Sequence, residues 1–179
     1  LSKISNFESV LPMNTGAEAV ETAIKAARRW GYFTKGIKKN CAEIIVAEGN
    51  FHGRTTTIVG FSSEKEYKKG FGPFADGFIE AEYCSSNCNC SKVCENSIRS
   101  IKNAINNNTC AVIVEPIQGE GGIITPQSGW LKQLRELCNE NNVLLILDEI
   151  QSGLGRTGKL FAFEHEDIKP DGLILGKAL

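Results

Sequence analysis

Val143, Leu144, Leu145, Ile146 and Leu147 form an unbroken apolar run that stops at two carboxylates, Asp148 and Glu149. The run is too short for a helix of its own, and it does not alternate with polar residues as a half-solvated strand does. A strand buried on both faces reads this way, and such strands belong to parallel sheets covered by helices. That requirement constrains the rest of the chain, which must supply both more strands and the covering helices. In open α/β sheets, ligands bind outside the carboxyl ends of the strands, and Asp148 falls at such an end. The same grammar returns at Asp171 and Gly172, which lead into Leu173, Ile174 and Leu175 and then into Gly176 and Lys177. One strand brings a carboxylate to the crevice and another brings an amine, and burying either is costly without a partner.

The other segments supply what the central run demands. Ile44, Ile45, Val46 and Ala47 form a second strand candidate that exits through Glu48 and Gly49 to Phe51, His52 and Arg54, and Cys110 to Val114 form a third that exits at Glu115 and Pro116. Ala19, Ala23, Ala26, Ala27 and Trp30 recur at helical spacing behind Asn14 or Thr15 as a cap, with Glu18 in the first turn. Ile98, Ile101, Ala104 and Ile105 predict a second helix, and Trp130, Leu131, Leu134, Leu137 and Cys138 a third, capped by Ser128. Thr55 to Phe61 is compatible with either a strand or a helix, while Phe161, Phe163 and His165 read as packing residues. Strands and helices alternate throughout, which predicts an α/β fold with a mostly parallel sheet and helices on both faces. The glycine-punctuated segment from Gly153 to Gly158 lacks the spacing of a dinucleotide or P-loop site, so a nucleotide reading is rejected.

Charge and hydropathy exclude several classes. The formal net charge is -1 with no basic cluster, so no nucleic-acid surface is predicted. No apolar stretch approaches the ~20 residues of a membrane span, and no secretory leader opens the sequence. The expectation is a cytoplasmic protein, or one of the mitochondrial matrix if a transit peptide precedes Leu1, with its seven cysteines reduced. The chain starts in mid-pattern and reads as part of a longer one. Cys84, Cys88, Cys90 and Cys94 crowd into a polar insert. Their spacing does not match the paired hooks of zinc sites, so clustered thiols are expected and a metal or redox site is the alternative.

Three segments, LLILDEIQSGLGRTGKLFAFEHEDIKPDGLILGKAL, VEPIQGEGG and NTGAEAVETAIKAAR, resemble class III aminotransferases. The resemblance covers all of the chain but the cysteine insert. It implies residues 1–179 of a fold-type-I large domain, with the insert at about 84–94 and the remaining parts of the enzyme on either side. It also implies pyridoxal 5'-phosphate, whose chemistry needs a lysine for the cofactor aldehyde and a carboxylate for the pyridine nitrogen. By resemblance, Lys177 is that lysine and also the proton-shuttling base. Asp148 pairs with the ring nitrogen, and Gln151 bonds the ring hydroxyl. Gly16 and Ala17 offer N–H groups to the phosphate, while Phe51 and His52 lie at the ring.

On the substrate side, Arg54 meets the substrate carboxylate, and Glu120 shields a substrate-binding arginine beyond this sequence. Taken without the resemblance, the Thr15–Gly16 helix start is an ordinary cap, His52 a satisfied structural histidine and Glu120 a solvated loop charge. The wording GNFHGR and GFGPF is most similar to members that move the terminal amino group of ornithine to 2-oxoglutarate, with acetylornithine and 4-aminobutyrate as alternative donors. The partners implied are amino-acid and oxo-acid substrates and a second subunit in a homodimer with shared active sites. The loop from Gly70 to Phe74 is expected near the subunit interface. An inactive scaffold and a cysteine-loop metal module are the non-enzyme alternatives.

Overall fold

The structure, a computed structural model, describes residues 1–84 and 94–179. Five strands, β1 (Glu43–Ala47), β2 (Phe78–Ala81), β3 (Thr109–Val114), β4 (Leu144–Asp148) and β5 (Gly172–Ile174), form one sheet in the order β2-β1-β3-β4-β5. Every pairing is parallel. The main helices are α1 (Gly16–Trp30), α2 (Thr56–Gly60), α3 (Glu95–Ala104) and α4 (Trp130–Glu140).

Side chains alternate across the sheet, and each set meets its own helices. Ile44, Val46, Ala111, Ile113 and Ile146 face Val20, Ile24 and Ala27 of α1. Ile45, Ala47, Val112, Val114, Leu145 and Leu147 face Ile101 of α3 and Trp130, Leu131, Leu134 and Leu137 of α4. Both faces are therefore covered, which is why β3 and β4 need no polar side. After β1 the chain steps outward to β2, then crosses back to build β3, β4 and β5 on the other side. The reversal falls between β1 and β3, and the crevice at such a reversal is the usual ligand position in doubly wound sheets.

The three longest strand readings and the three helix readings hold, and the ambiguous Thr55–Phe61 segment is helical. β2 escaped the sequence reading because its four residues, Phe-Ile-Glu-Ala, are too few to show a pattern. One cap is corrected. Ser128 does not cap α4. Gly129 occupies the cap position in the left-handed region, and the distant Glu166 carboxylate accepts the Gly129 N–H at 2.9 Å and the Lys132 N–H at 2.8 Å. A negative charge there also opposes the positive end of the helix dipole.

The expectation of seven reduced cysteines is also corrected. Cys84 and Cys94 close a disulfide with their Cα atoms 5.3 Å apart, because the insert leaves β2 and returns at the start of α3. Those two are thus not available as thiolate ligands, and Cys88 and Cys90 lie outside the described residues. Cys41, Cys110 and Cys138 are free. Among the described residues no group of three or more ligating side chains is placed to hold a metal, and no helix is long and apolar enough to cross a membrane.

Candidate active site

The carboxyl ends of β1, β3 and β4 are tied together by buried polar contacts. Asp148 closes β4 and is 4% exposed. Its Oδ1 accepts the Ile150 N–H at 3.1 Å, and its Oδ2 lies 2.7 Å from Nδ1 of His52, which follows β1. Burial alone would push the His52 pKa down. The hydrogen bond to Asp148, its charge and the charge of Glu115 outweigh that, so the pKa lies above the ordinary histidine value. Glu115, leaving β3, accepts the Phe51 N–H at 2.9 Å and the Gly119 N–H at 3.2 Å. Burial holds its carboxyl above the usual range, against the opposing pull of His52 and the two amides. The Tyr83 hydroxyl donates to the carbonyls of Glu115 and Pro116 at 3.0 and 3.1 Å, which fixes the β3 exit from the other face.

Lys177 leaves β5 with φ at +47°, a left-handed conformation that costs a side-chain-bearing residue about 1–3 kcal/mol. Its Nζ donates to Oε1 of Gln151 and lies 3.9 Å from Oε1 of Glu120. Gln151 sits on the turn just beyond Asp148. A Cβ on Gly119 would overlap the Gln151 amide, so the absence of a side chain there leaves Gln151 free to take this position.

The start of α1 completes the arrangement. The Thr15 hydroxyl accepts the Glu18 N–H at 3.1 Å, as the sequence predicts. Helix geometry leaves the Gly16 and Ala17 N–H groups without intrahelical acceptors at the positive end of the dipole. A Cβ on Gly16 would stand 2.8 Å from Cδ1 of Ile150, and one on Gly176 would stand 3.2 Å from Cγ2 of Ile150 and 3.8 Å from Cα of Gly16. The helix start, the Asp148 turn and the β5 exit therefore meet around Ile150. Gly53 packs on Ala17 in the same way, a Cβ there standing 3.0 Å from the Ala17 Cβ.

A cavity of about 880 Å³ opens beside this cluster, lined by Thr15, Gly16, Gly176 and Lys177, by Trp30 at the end of α1, and by Val10 in the segment before it. Asp148, His52 and Phe51 are not in its lining. Most of its lining is apolar.

The sequence-derived residues thus fall into two linked groups, Asp148 with His52, and Lys177 with Gln151 and Glu120, with Gly16 and Ala17 between them. Arg54 stands apart. It is exposed, with its guanidinium 5.5 Å from the Phe51 ring centroid and 5.0 Å from that of Tyr67, and has no ion pair among the described residues. Phe51 meets Tyr67 edge-on at 6.1 Å.

Sequence reasoning missed two features. The His52–Asp148 contact joins residues 96 apart, and its only sequence signal is that Asp148 ends a strand and His52 follows one. Glu149, 1% exposed, accepts the Ala162 and Phe163 N–H groups at 2.7 and 2.9 Å. Burial pushes its pKa up to about 7, while the two amides pull the other way. Its signal was the second carboxylate of the Asp-Glu pair.

These donors suit a flat cofactor with an anionic group for the α1 N–H groups, a protonated ring nitrogen for Asp148 and a carbonyl for Lys177. The close approaches of Gly16 and Gly176 to Ile150 bring the helix start and the β5 exit together beside these donors. Comparison with known proteins gives the family. The aminotransferase class-III profile matches residues 1–179. The chain is 56% identical over 179 residues to ornithine aminotransferase of Brevibacillus brevis and to ornithine aminotransferase 2 of Staphylococcus aureus, covering 100% of this chain and 42% of each relative. The chain thus spans about 42% of the length of these curated relatives. The crystal structure of ornithine aminotransferase from Toxoplasma gondii superimposes with a TM-score of 0.91 at 42% identity, covering 99% of this chain and 39% of that one. Acetylornithine aminotransferase from Elizabethkingia anophelis gives 0.76 at 50% identity, covering 99% and 40%.

Proposed function

Because the chain belongs to the class-III aminotransferases, we propose that the protein containing it moves the terminal amino group of ornithine to 2-oxoglutarate, giving glutamate 5-semialdehyde and glutamate, with pyridoxal 5'-phosphate as cofactor. Residues 1–179 are then part of the cofactor-binding large domain, working in a homodimer. The observation that carries this reading is the convergence of a buried carboxylate, Asp148, and a strained lysine, Lys177, on the start of α1. When bound, the cofactor supplies an aldehyde for amino groups and a ring that accepts the electron pair left by proton removal.

The chain's own residues have separate tasks. Asp148, held by the Ile150 N–H and by His52, presents carboxylate oxygen to a protonated ring nitrogen. The N–H groups of Gly16 and Ala17 hold the phosphate. Gln151 orients the Lys177 amine and bonds the ring hydroxyl, and Phe51 packs on the ring. Lys177, half-exposed, moves the proton between the carbons that are deprotonated and reprotonated. Arg54, placed over two aromatic rings and with no ion pair among the described residues, takes the substrate carboxylate. Glu120, already 3.9 Å from Lys177, shields an arginine supplied from outside this sequence.

Acetylornithine is the alternative donor, supported by the 50% identity to the Elizabethkingia acetylornithine enzyme. The test uses the protein in its full natural sequence, with pyridoxal phosphate added, borohydride reduction and peptide mapping by mass spectrometry. A pyridoxyl group on Lys177, followed by faster turnover of ornithine than of acetylornithine, is the expected result. An unmodified Lys177 would remove the central residue of the reading and leave an inactive scaffold as the better account.

A further inference from the structure

We propose that Tyr67 is a positioning residue for the substrate carboxylate. Its ring, together with that of Phe51, seats the Arg54 guanidinium and so sets the direction in which Arg54 offers its N–H donors. The inference rests on the reading of Arg54 given above and adds to it a residue that acts through Arg54.

Three observations carry it. First, Tyr67 is not a core residue. It is the one apolar side chain in the charged run from Glu64 to Lys69, and it lies on the short helical turn Lys65–Lys68. Lys65, Glu66 and Lys69 are exposed, whereas Tyr67 is half-buried. An aromatic turned inward from such a run ordinarily seals a core, yet Tyr67 belongs to neither of the apolar clusters on the two sheet faces, and nor does Phe51. The Tyr67 ring instead meets Phe51 edge-on at 6.1 Å and carries the Arg54 guanidinium 5.0 Å from its centroid.

Second, the two rings are anchored and the arginine is not. The Phe51 N–H is held by the Glu115 carboxylate at 2.9 Å, and the Tyr67 N–H donates to the Glu64 carbonyl at 3.2 Å. Arg54 is exposed, and a long side chain that is free in solvent must surrender its rotamer freedom when it meets a ligand. The ring planes stand 74° apart, and the guanidinium lies over both. It is thus restrained from two sides before any ligand arrives.

Third, this restraint leaves the donors free. Among the described residues Arg54 has no hydrogen bond and no ion pair. Attraction to a ring face acts through the ring's quadrupole, so the planar fork stays open to a carboxylate. A carboxylate of the protein would have held Arg54 as firmly but would have occupied the fork that a substrate needs. Phe51 also packs on the cofactor, which leaves Tyr67 as the member of the pair whose removal isolates the effect on Arg54.

The experiment uses the full-length holoenzyme. Tyr67→Leu should raise the KM for ornithine about 3- to 30-fold, the loss expected of a cation–π contact, with kcat and cofactor affinity within about twofold of wild type. Tyr67→Phe keeps the ring and should stay within about twofold of wild type in all three. Putrescine is ornithine without its carboxylate. Its affinity, read as competitive inhibition of ornithine turnover, should be the same in Tyr67→Leu as in wild type, whereas general damage to the site would weaken both ligands. Tyr67→Gln also lacks the ring and serves if Tyr67→Leu does not fold.

An unchanged KM for ornithine in the ringless variant, or a rise matched by an equal loss of putrescine affinity, overturns the proposal. Arg54→Gln separates the two levels. A raised KM in Arg54→Gln with an unchanged one in Tyr67→Leu defeats only the role of Tyr67, whereas an unchanged KM in Arg54→Gln defeats the reading of Arg54 beneath it. Borohydride labelling of Lys177, done first, tests the pyridoxal phosphate reading by itself, and its absence would defeat that reading and this role together.

Discussion

Glu149 is where opposing forces on one carboxyl can be weighed by experiment. Two backbone amides donate to it, Ala162 to Oε2 at 2.7 Å and Phe163 to Oε1 at 2.9 Å, and both favour the carboxylate. Burial, with Glu164 and Asp148 nearby, favours the neutral acid and wins, moving the pKa from 4.5 to about 7. The folded state therefore holds the proton more tightly than the unfolded chain. Its stabilising effect is complete below the unfolded value and is lost as pH rises through the folded one.

Between about pH 5 and about pH 8 this linkage costs the wild type about 2–3 kcal/mol. Glu149→Gln cannot ionise and escapes that loss. It carries instead a pH-independent penalty of about 1–3 kcal/mol, because its amide nitrogen leaves one of the two backbone N–H groups without an acceptor. Native-state hydrogen exchange at the Ala162 and Phe163 amides reads the local free energy without assuming that the whole protein unfolds in one step. The variant should be the less stable form at the acid end and should close most or all of the gap by the alkaline end. A wild-type–variant difference that stays flat across this range would refute the argument, since it would mean that the two amides keep Glu149 ionised throughout.

Two further outcomes follow from the same structure. Gly119→Ala should push Gln151 off Lys177 and weaken pyridoxal phosphate binding by about 10-fold while changing the melting temperature little, because what it breaks is one hydrogen bond at the site rather than core packing. Equal affinity in absorbance titration would show that Gln151 does not set the Lys177 amine. Glu166→Ala should cost about 1–2 kcal/mol in denaturant unfolding by uncapping α4, whereas Ser128→Ala should stay within about 0.5 kcal/mol of wild type. A loss at Ser128 instead would restore the cap that its position in the sequence suggests.

The contrast between Ser128 and Glu166 shows where sequence reading gives out. The buried strands were legible because Val143 to Leu147 and Cys110 to Val114 carry their environment in their own composition, and the α1 cap because Thr15 and Glu18 lie within one turn of each other. What could not be read were contacts between residues far apart in the chain. Glu166 reaches Gly129 across 37 positions, His52 reaches Asp148 across 96, and Cys84 reaches Cys94 across an insert with no recognisable spacing.

The same limit applies to the site. Asp148 and Lys177 could be assigned to strand exits from sequence, because a parallel sheet gathers all its carboxyl ends on one side. Their grouping around Ile150 could not, since it depends on Gly16 and Gly176 letting backbone approach within van der Waals distance of a single side chain. A pattern of apolar runs thus specifies which residues arrive at the crevice. The small residues between those runs determine how close they come, and in a site made of strand ends and one helix start that closeness decides whether a carboxylate and an amine can serve the same ligand.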